Sequence, residues 1–392
     1  MKLPIDPKAP LICQRHLFSL PEDISYLNCA YMSPLSNEVI VAGYEGLKRK
    51  SRPYEISSED FFQPVDELKT QFAELIDTNN PQRVVIIPSA SYGFASIANN
   101  ISVKPGQNVV VIKEQFPSNV YCWQRLCVKY SLELRIVGPG EYGSENHWNQ
   151  RILDSIDEDT VLVTMGILHW ADGTVFQIPG IREKTYQVGA KLVLDGTQAI
   201  GAIPFSITSV QPDALICAAY KWLMGPYSIG LAYFGPEFDG GIPLEENWIN
   251  RINSDDFQGQ VGYTQEYRPL ATRYDMGEKS SFIHIPMLIQ AITQIKDWGV
   301  HRIQEYCKKI TIQELEILQS HGFTLANESS RAYHLFGLRP PSGYDSQKAK
   351  KALGESKIYV SFRGNSIRVS PHIYNTPEDM SKLKDCLIQG LS

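Results

Sequence analysis

Between residues 83 and 234 short β-branched runs alternate with amphipathic stretches, each run followed by a polar or glycine-rich loop. That alternation is the pattern of a largely parallel sheet covered by helices. The predicted strands are Val84–Ile87, Val109–Ile112, Leu134–Val137, Val161–Met165, Leu192–Leu194, Ala214–Cys217 and Gly230–Phe234. After Gly235 the chain is irregular to about Lys279, then helical over Ile285–Trp298 and His301–His321. A smaller unit follows, with strands expected at Phe323–Ala326, His334–Gly337, Tyr359–Phe362 and Ser366–Ser370. Its last helix is announced by Thr376-Pro-Glu-Asp379, a hydroxyl cap before Pro at the first helical position and acids in the first turn.

Composition narrows the class of partner. A chain of 392 residues, 43% apolar and 20% charged, is long enough for two domains around an extensive core. A net charge of -6 leaves no basic excess for a phosphate backbone or an anionic membrane, so neither nucleic acid nor membrane is an expected partner. Met1 to Phe18 mixes charges and prolines with apolar residues, unlike a signal peptide, and no stretch reaches the roughly 18 apolar residues of a membrane span. A cytoplasmic protein is expected. The seven cysteines are scattered, with no CxxC or Cys/His grouping, so reduced thiols and no metal site are expected.

In open α/β sheets ligands sit outside the carboxyl ends of the strands, which directs attention to the loops there. The strongest feature is a pair of segments: Leu192-Val-Leu-Asp-Gly-Thr-Gln-Ala199, and Tyr220-Lys-Trp-Leu-Met-Gly-Pro226. A carboxylate at one strand end, Asp195, and an amine just past a neighbouring strand, Lys221, can converge on one crevice. Taken singly they read as a helix cap and a surface lysine. Gly138-Pro-Gly-Glu-Tyr-Gly143 fits a dinucleotide-binding fingerprint, but the polar Ser-Glu-Asn-His-Trp-Asn that follows cannot open the required apolar helix.

Val193-Leu-Asp-Gly-Thr-Gln198 followed by Ala219-Tyr-Lys-Trp-Leu223 resembles the class V aminotransferase family of fold type I enzymes dependent on pyridoxal 5'-phosphate (PLP), which includes cysteine desulfurases, kynureninases and isopenicillin N epimerase. The resemblance runs from Tyr26-Leu-Asn-Cys-Ala-Tyr-Met-Ser-Pro34 to Ile367-Arg-Val-Ser-Pro-His-Ile-Tyr-Asn-Thr376. It implies an α/β fold: a large PLP-binding domain over 16–255 with a mainly parallel seven-stranded sheet, and a small α+β domain from 1–15 and 256–392. A homodimer is implied as well.

The same resemblance implies roles. Lys221 condenses with the cofactor aldehyde and, once freed, moves a proton at the substrate Cα. Asp195 keeps the ring nitrogen protonated. Gln198 and, at a position where relatives often carry Asn, Asp172 are directed at the phenolic oxygen, with His169 left as a structural residue. Ala90 and Ser91, at the start of a helix after Ile86-Ile-Pro-Ser89, offer N–H groups to the phosphate, although Ser as a cap explains the same residues. Tyr220 adds a phenolic hydroxyl, a kynureninase-like feature. Phe116 stacks on the ring. Arg368 anchors the substrate carboxylate, and Asn28 and Tyr31, or the backbone of Ala30, line the same site.

Two departures qualify the picture. Desulfurases need a cysteine on the loop before the arginine matching Arg368, and no cysteine lies between Cys307 and Cys386, which argues against persulfide chemistry. In Arg273-Tyr-Asp-Met-Gly-Glu-Lys-Ser-Ser281 Glu278 stands where relatives have a phosphate-binding Thr, leaving Ser280 and Ser281 as substitutes or the contact missing. The expected activity is PLP chemistry on the amino group of a small amino acid through an external aldimine, with transamination as the default. A β-eliminating or kynureninase-like lyase and a Cα epimerase remain open. A PLP-binding protein without turnover would lack need of Arg368, and a non-PLP α/β enzyme would leave Lys221 and Asp195 merely structural.

Overall fold

The computed structural model describes residues 9–140 and 148–391, so the second half of the Gly138–Gly143 loop lies outside the described residues. A short strand β1 (Ser25–Tyr26) precedes seven strands: β2 (Val84–Ile87), β3 (Asn108–Ile112), β4 (Glu133–Val137), β5 (Thr160–Gly166), β6 (Lys191–Asp195), β7 (Ala214–Ala218) and β8 (Gly230–Phe234). All seven join one sheet in the order β2-β8-β7-β6-β5-β3-β4, parallel except for β8, which runs antiparallel to both neighbours. The mainly parallel seven-stranded sheet expected from the sequence is present, with every predicted strand in it.

Strand β6 shows why these runs are continuous apolar stretches. Leu192 and Leu194 enter a core shared with helices Gln63–Leu75, Ile178–Val188 and His284–Trp298, whereas Val193 enters a second core with helices Ala90–Ala98 and Tyr121–Tyr130 on the opposite face. Both faces are thus buried, and polar residues survive only at the two ends, Lys191 and Asp195.

The C-terminal part adds β9 (Phe336–Leu338), β10 (Ile358–Tyr359), β11 (Ser361–Arg363) and β12 (Ser366–Val369), with β11-β12-β9 forming an antiparallel sheet and β10 pairing with β1. The strand expected at Phe323–Ala326 is reduced to one bridge, Thr324 to Arg339: on one side Pro340 and Pro341 have no N–H with which to continue the ladder, and on the other the N–H of Gly337 donates to Asp172 O at 2.9 Å instead. His334 does not join a strand either; its Nε2 lies 2.8 Å from the carbonyl of Gln198. The expected Tyr359–Phe362 strand splits at Val360 into β10 and β11. The final helix, Pro377–Ile388, carries a complete capping box between Thr376 and Asp379. No helix among the described residues is long and apolar enough to cross a membrane.

Candidate active site

Asp195 ends β6 and faces Ile216 of β7 in register, and Lys221 follows three residues after β7 ends. The turn carrying Lys221 is tightly held: Ala219 N–H donates to Ile229 O at 3.1 Å, Gly225 N–H to Ala219 O at 2.9 Å and Met224 N–H to Lys221 O at 3.0 Å. Adjacent parallel strands therefore deliver a carboxylate and an amine to the same sheet edge. Both line a cavity of about 320 Å³, together with Ala90, Ser91, Phe116 and Tyr220.

Lys221 is 5% exposed, and its Nζ has no ion-pair or hydrogen-bond partner among the described residues. Burial lowers its amine to about 8, against the opposing pull of Asp195, with Arg368 and Arg363 pushing further down. Burial raises the Asp195 carboxyl above its ordinary value, although Thr197 donates its N–H to Oδ1 at 2.9 Å. Lys221 Nζ sits 5.1 Å from the centroid of the Phe116 ring and 5.4 Å from that of Tyr220. Phe116 is held edge-on to Trp170, with centroids 5.6 Å apart.

The first turn of helix Ala90–Ala98 also lines the cavity. Ser89 caps it, its Oγ accepting from Tyr92 N–H at 3.3 Å. The N–H groups of Ala90 and Ser91 belong to that first turn and have no intrahelical acceptor. Gln198 lines the cavity with both ends engaged: Nε2 donates to Ala30 O at 3.1 Å, and Oε1 accepts from Trp222 Nε1 at 2.7 Å. That last bond ties the segment bearing Asp195 to the segment bearing Lys221.

A second cavity of about 300 Å³ opens beside Lys221 and is lined by Tyr31, Trp170, Arg363 and Arg368. The opening motif is stitched to the end of β12, with Cys29 N–H donating to Ser370 O at 3.1 Å and Ala30 N–H to Ser370 Oγ at 3.0 Å. That stitching brings Tyr31 beside Arg368. The Arg368 side chain is 1% exposed; Nη1 donates to Trp170 O at 3.2 Å, and its Nε has no partner. Burial lowers this guanidinium to about 10, and the like charge of Arg363 adds to the effect.

Two sequence candidates stand outside both cavities. Asp172 accepts from Thr174 N–H at 3.0 Å and lies 3.2 Å from His169 Nδ1, so its carboxylate faces a buried histidine and Trp170 forms the wall instead. Burial would raise Asp172, but His169 outweighs it and holds the carboxyl down at about 2. Gly173, with φ +78°, lets this loop press on the backbone of Leu335, where a Cβ would come within 2.0 Å of the carbonyl oxygen. Asn28 accepts from Ser361 Oγ at 2.8 Å. Ser280 and Ser281 line a separate cavity, and Ser280 Oγ donates to Phe61 O at 2.6 Å. Sequence reasoning missed Thr197, Trp170, Tyr227 and Arg363 in the walls, although the first two lie inside segments it singled out. Among the described residues no group of His, Cys, Asp and Glu could hold a metal ion.

The family model for class V aminotransferases matches residues 44–383. The chain is 26% identical over 317 residues to the uncharacterized aminotransferase YcbU of Bacillus subtilis, covering 80% of each. It is 26% identical over 305 residues to a cysteine desulfurase of an Enterobacter species, covering 75% of this chain and 72% of the relative. A solved complex of the cystine C–S lyase C-DES with its product cysteine persulfide shares the fold, with a TM-score of 0.82 at 17% identity over 93% of this chain and 97% of that one.

Proposed function

We propose, on the premise that the chain belongs to the class V aminotransferases, a family of PLP-dependent enzymes of fold type I, that it transaminates a small amino acid with Lys221 as the residue that holds the cofactor. The observation that carries the reading is a buried amine with no ion-pair partner among the described residues beside a half-buried carboxylate, at the ends of adjacent strands and in the same cavity.

The wall's donor set fits PLP. The N–H groups of Ala90 and Ser91, with the hydroxyl of Tyr220, suit the phosphate. Asp195 suits the ring nitrogen, Phe116 the ring face and Gln198 the phenolic oxygen. Asp172 keeps only an indirect part, facing His169, whose ring lies against Trp148. When bound, the cofactor supplies a protonated ring that withdraws electrons from the substrate Cα. Asp195 would keep that ring nitrogen protonated by its charge. Lys221, lowered to about 8 by burial, would reach its neutral form near physiological pH and could take a proton from Cα and return it elsewhere. Arg368 would hold the substrate carboxylate, with Tyr31 beside it and Asn28 supporting Ser361.

A lyase is the second reading, favoured by the aromatic residues Phe116 and Tyr220, whose ring centroids lie 5.1 and 5.4 Å from Lys221 Nζ; epimerisation at Cα would use the same groups. Desulfuration is disfavoured because none of the seven free cysteines lines either cavity. Exposed Tyr31 and Tyr227 at the cavity mouth, at 57% and 62%, support a homodimer that covers them. The free cysteines support a cytoplasmic location. The division into 16–255 and 1–15 with 256–392 belongs to the same proposal.

Adding single L-amino acids to PLP-loaded protein tests the reaction. Loss of the visible absorption band with one amino acid and its return only on adding a keto acid is the expected result. Recovery without a keto acid, with ammonia released, would replace transamination by elimination.

A further inference from the structure

Strands β11 and β12 pair so that Ser361 faces Arg368 and Arg363 faces Ser366. Side chains alternate across a strand, so Arg363 shares the face of Ser361 and therefore that of Arg368. Both guanidiniums approach the same indole: Arg363 Cζ is 5.7 Å and Arg368 Cζ 5.6 Å from the Trp170 ring centroid. Both line the roughly 300 Å³ cavity that also exposes Lys221.

Neither arginine has a carboxylate partner among the described residues. Arg363 Nη1 donates only to the carbonyl of Phe362, at 2.9 Å, and the buried Nε of Arg368 donates to nothing. Two like charges held beside a third amine in a partly dry pocket repel one another, and no carboxylate among the described residues pairs with either guanidinium. An amino acid brings one α-carboxylate, which the deeper Arg368 can take. Arg363, half-buried and more open to solvent, is left facing where the substrate side chain would lie.

We infer that the substrate carries a second anionic group, a carboxylate or its sulfinate or phosphate equivalent on the side chain, and that Arg363 is the residue that selects it. This rests on the amino-acid substrate and the Arg368 anchor proposed above. A planar fork of donors suits bidentate recognition of such a group, which a single lysine would not reproduce.

Two titrations of PLP-loaded protein test it. In the first, L-aspartate and L-glutamate are compared with L-asparagine and L-glutamine by their effect on the visible band. In the second, succinate and propionate, neither of which can react, are compared by calorimetry. The acidic amino acids and succinate should bind roughly tenfold or more tightly than their uncharged or singly charged counterparts, the scale of one hydrogen-bonded charge pair. In Arg363→Gln both ratios should fall to near one, whereas Arg363→Lys should retain part of the preference. Equal binding in the unmodified protein, no response to any of these probes, or a preference that survives Arg363→Gln overturns the inference. Absence of a Lys221-dependent band is a different result: it removes the cofactor reading, and the succinate preference still decides whether Arg363 binds an anion.

Discussion

At the scale of single residues, burial draws the proton affinities of Lys221 and Asp195 toward each other. A free amine and a solvated carboxylate differ by more than six pKa units; here burial lowers one and raises the other, so both approach the range in which protons are exchanged. Asp195→Asn keeps the shape of the side chain but removes its charge. It should reduce turnover by about a hundredfold, the scale on which loss of one preorganised charge acts, with little change in thermal stability; turnover within a factor of two or so of the original would exclude the assigned role. These two residues were legible in the sequence because each sits at the end of a short apolar run. Arg363 was not, since its place beside Arg368 depends on the register of β11 against β12, which no local pattern fixes. Asp172 was misdirected by motif position: its neighbour His169 captures the carboxylate, a contact set by the fold of the loop at Gly173.

At the scale of elements, the start of helix Ala90–Ala98 is positioned by a buried ionic knot. Asp275 Oδ1 accepts from the N–H of Ile86 in β2 at 2.8 Å, and its Oδ2 binds Lys69 and Lys279 at 2.7 and 2.8 Å. Asp275 and both lysines are buried, and the two ammonium groups outweigh burial to keep the Asp275 carboxyl below its ordinary value. Asp275→Asn would leave two buried cations without a counter-charge and should cost about 3–5 kcal/mol in chemical denaturation. A loss under about 1 kcal/mol would show the knot to be solvated in solution. Most strands of the main sheet were readable because burial on both faces leaves apolar runs, whereas the edge strand β4, interrupted by Arg135 and largely exposed, was marked by its β-branched and aliphatic residues alone. The C-terminal strands were read less well, since they are short and their ends are decided by Pro340, Pro341 and the inward turn of His334.

At the scale of the whole molecule, buried histidines of the C-terminal segment pack against the turn that carries Lys221. His334 and His372 are fully buried, next to Trp222, and burial lowers them to about 4 and about 3. Unfolded histidine binds a proton near pH 6.5, so between that pH and about 4 the unfolded chain holds more protons than the folded one. Stability therefore rises with pH through this window and is lost as pH falls. For His334 alone the loss should be on the order of 3 kcal/mol at full protonation of the unfolded chain. Thermal melts from pH 7 to 4.5 should show a steadily falling Tm that is flattened in His334→Gln; an equal slope in that variant would assign the acid sensitivity elsewhere.

The proposed activity depends on Lys221 being the residue that holds PLP, and a visible spectrum tests that claim most directly. Purified protein supplied with PLP and freed of excess cofactor should show an absorption band in the visible range, and Lys221→Ala, prepared identically, should lack it while remaining folded by circular dichroism. A band of equal intensity in the variant, or none in the unmodified protein, would contradict the account.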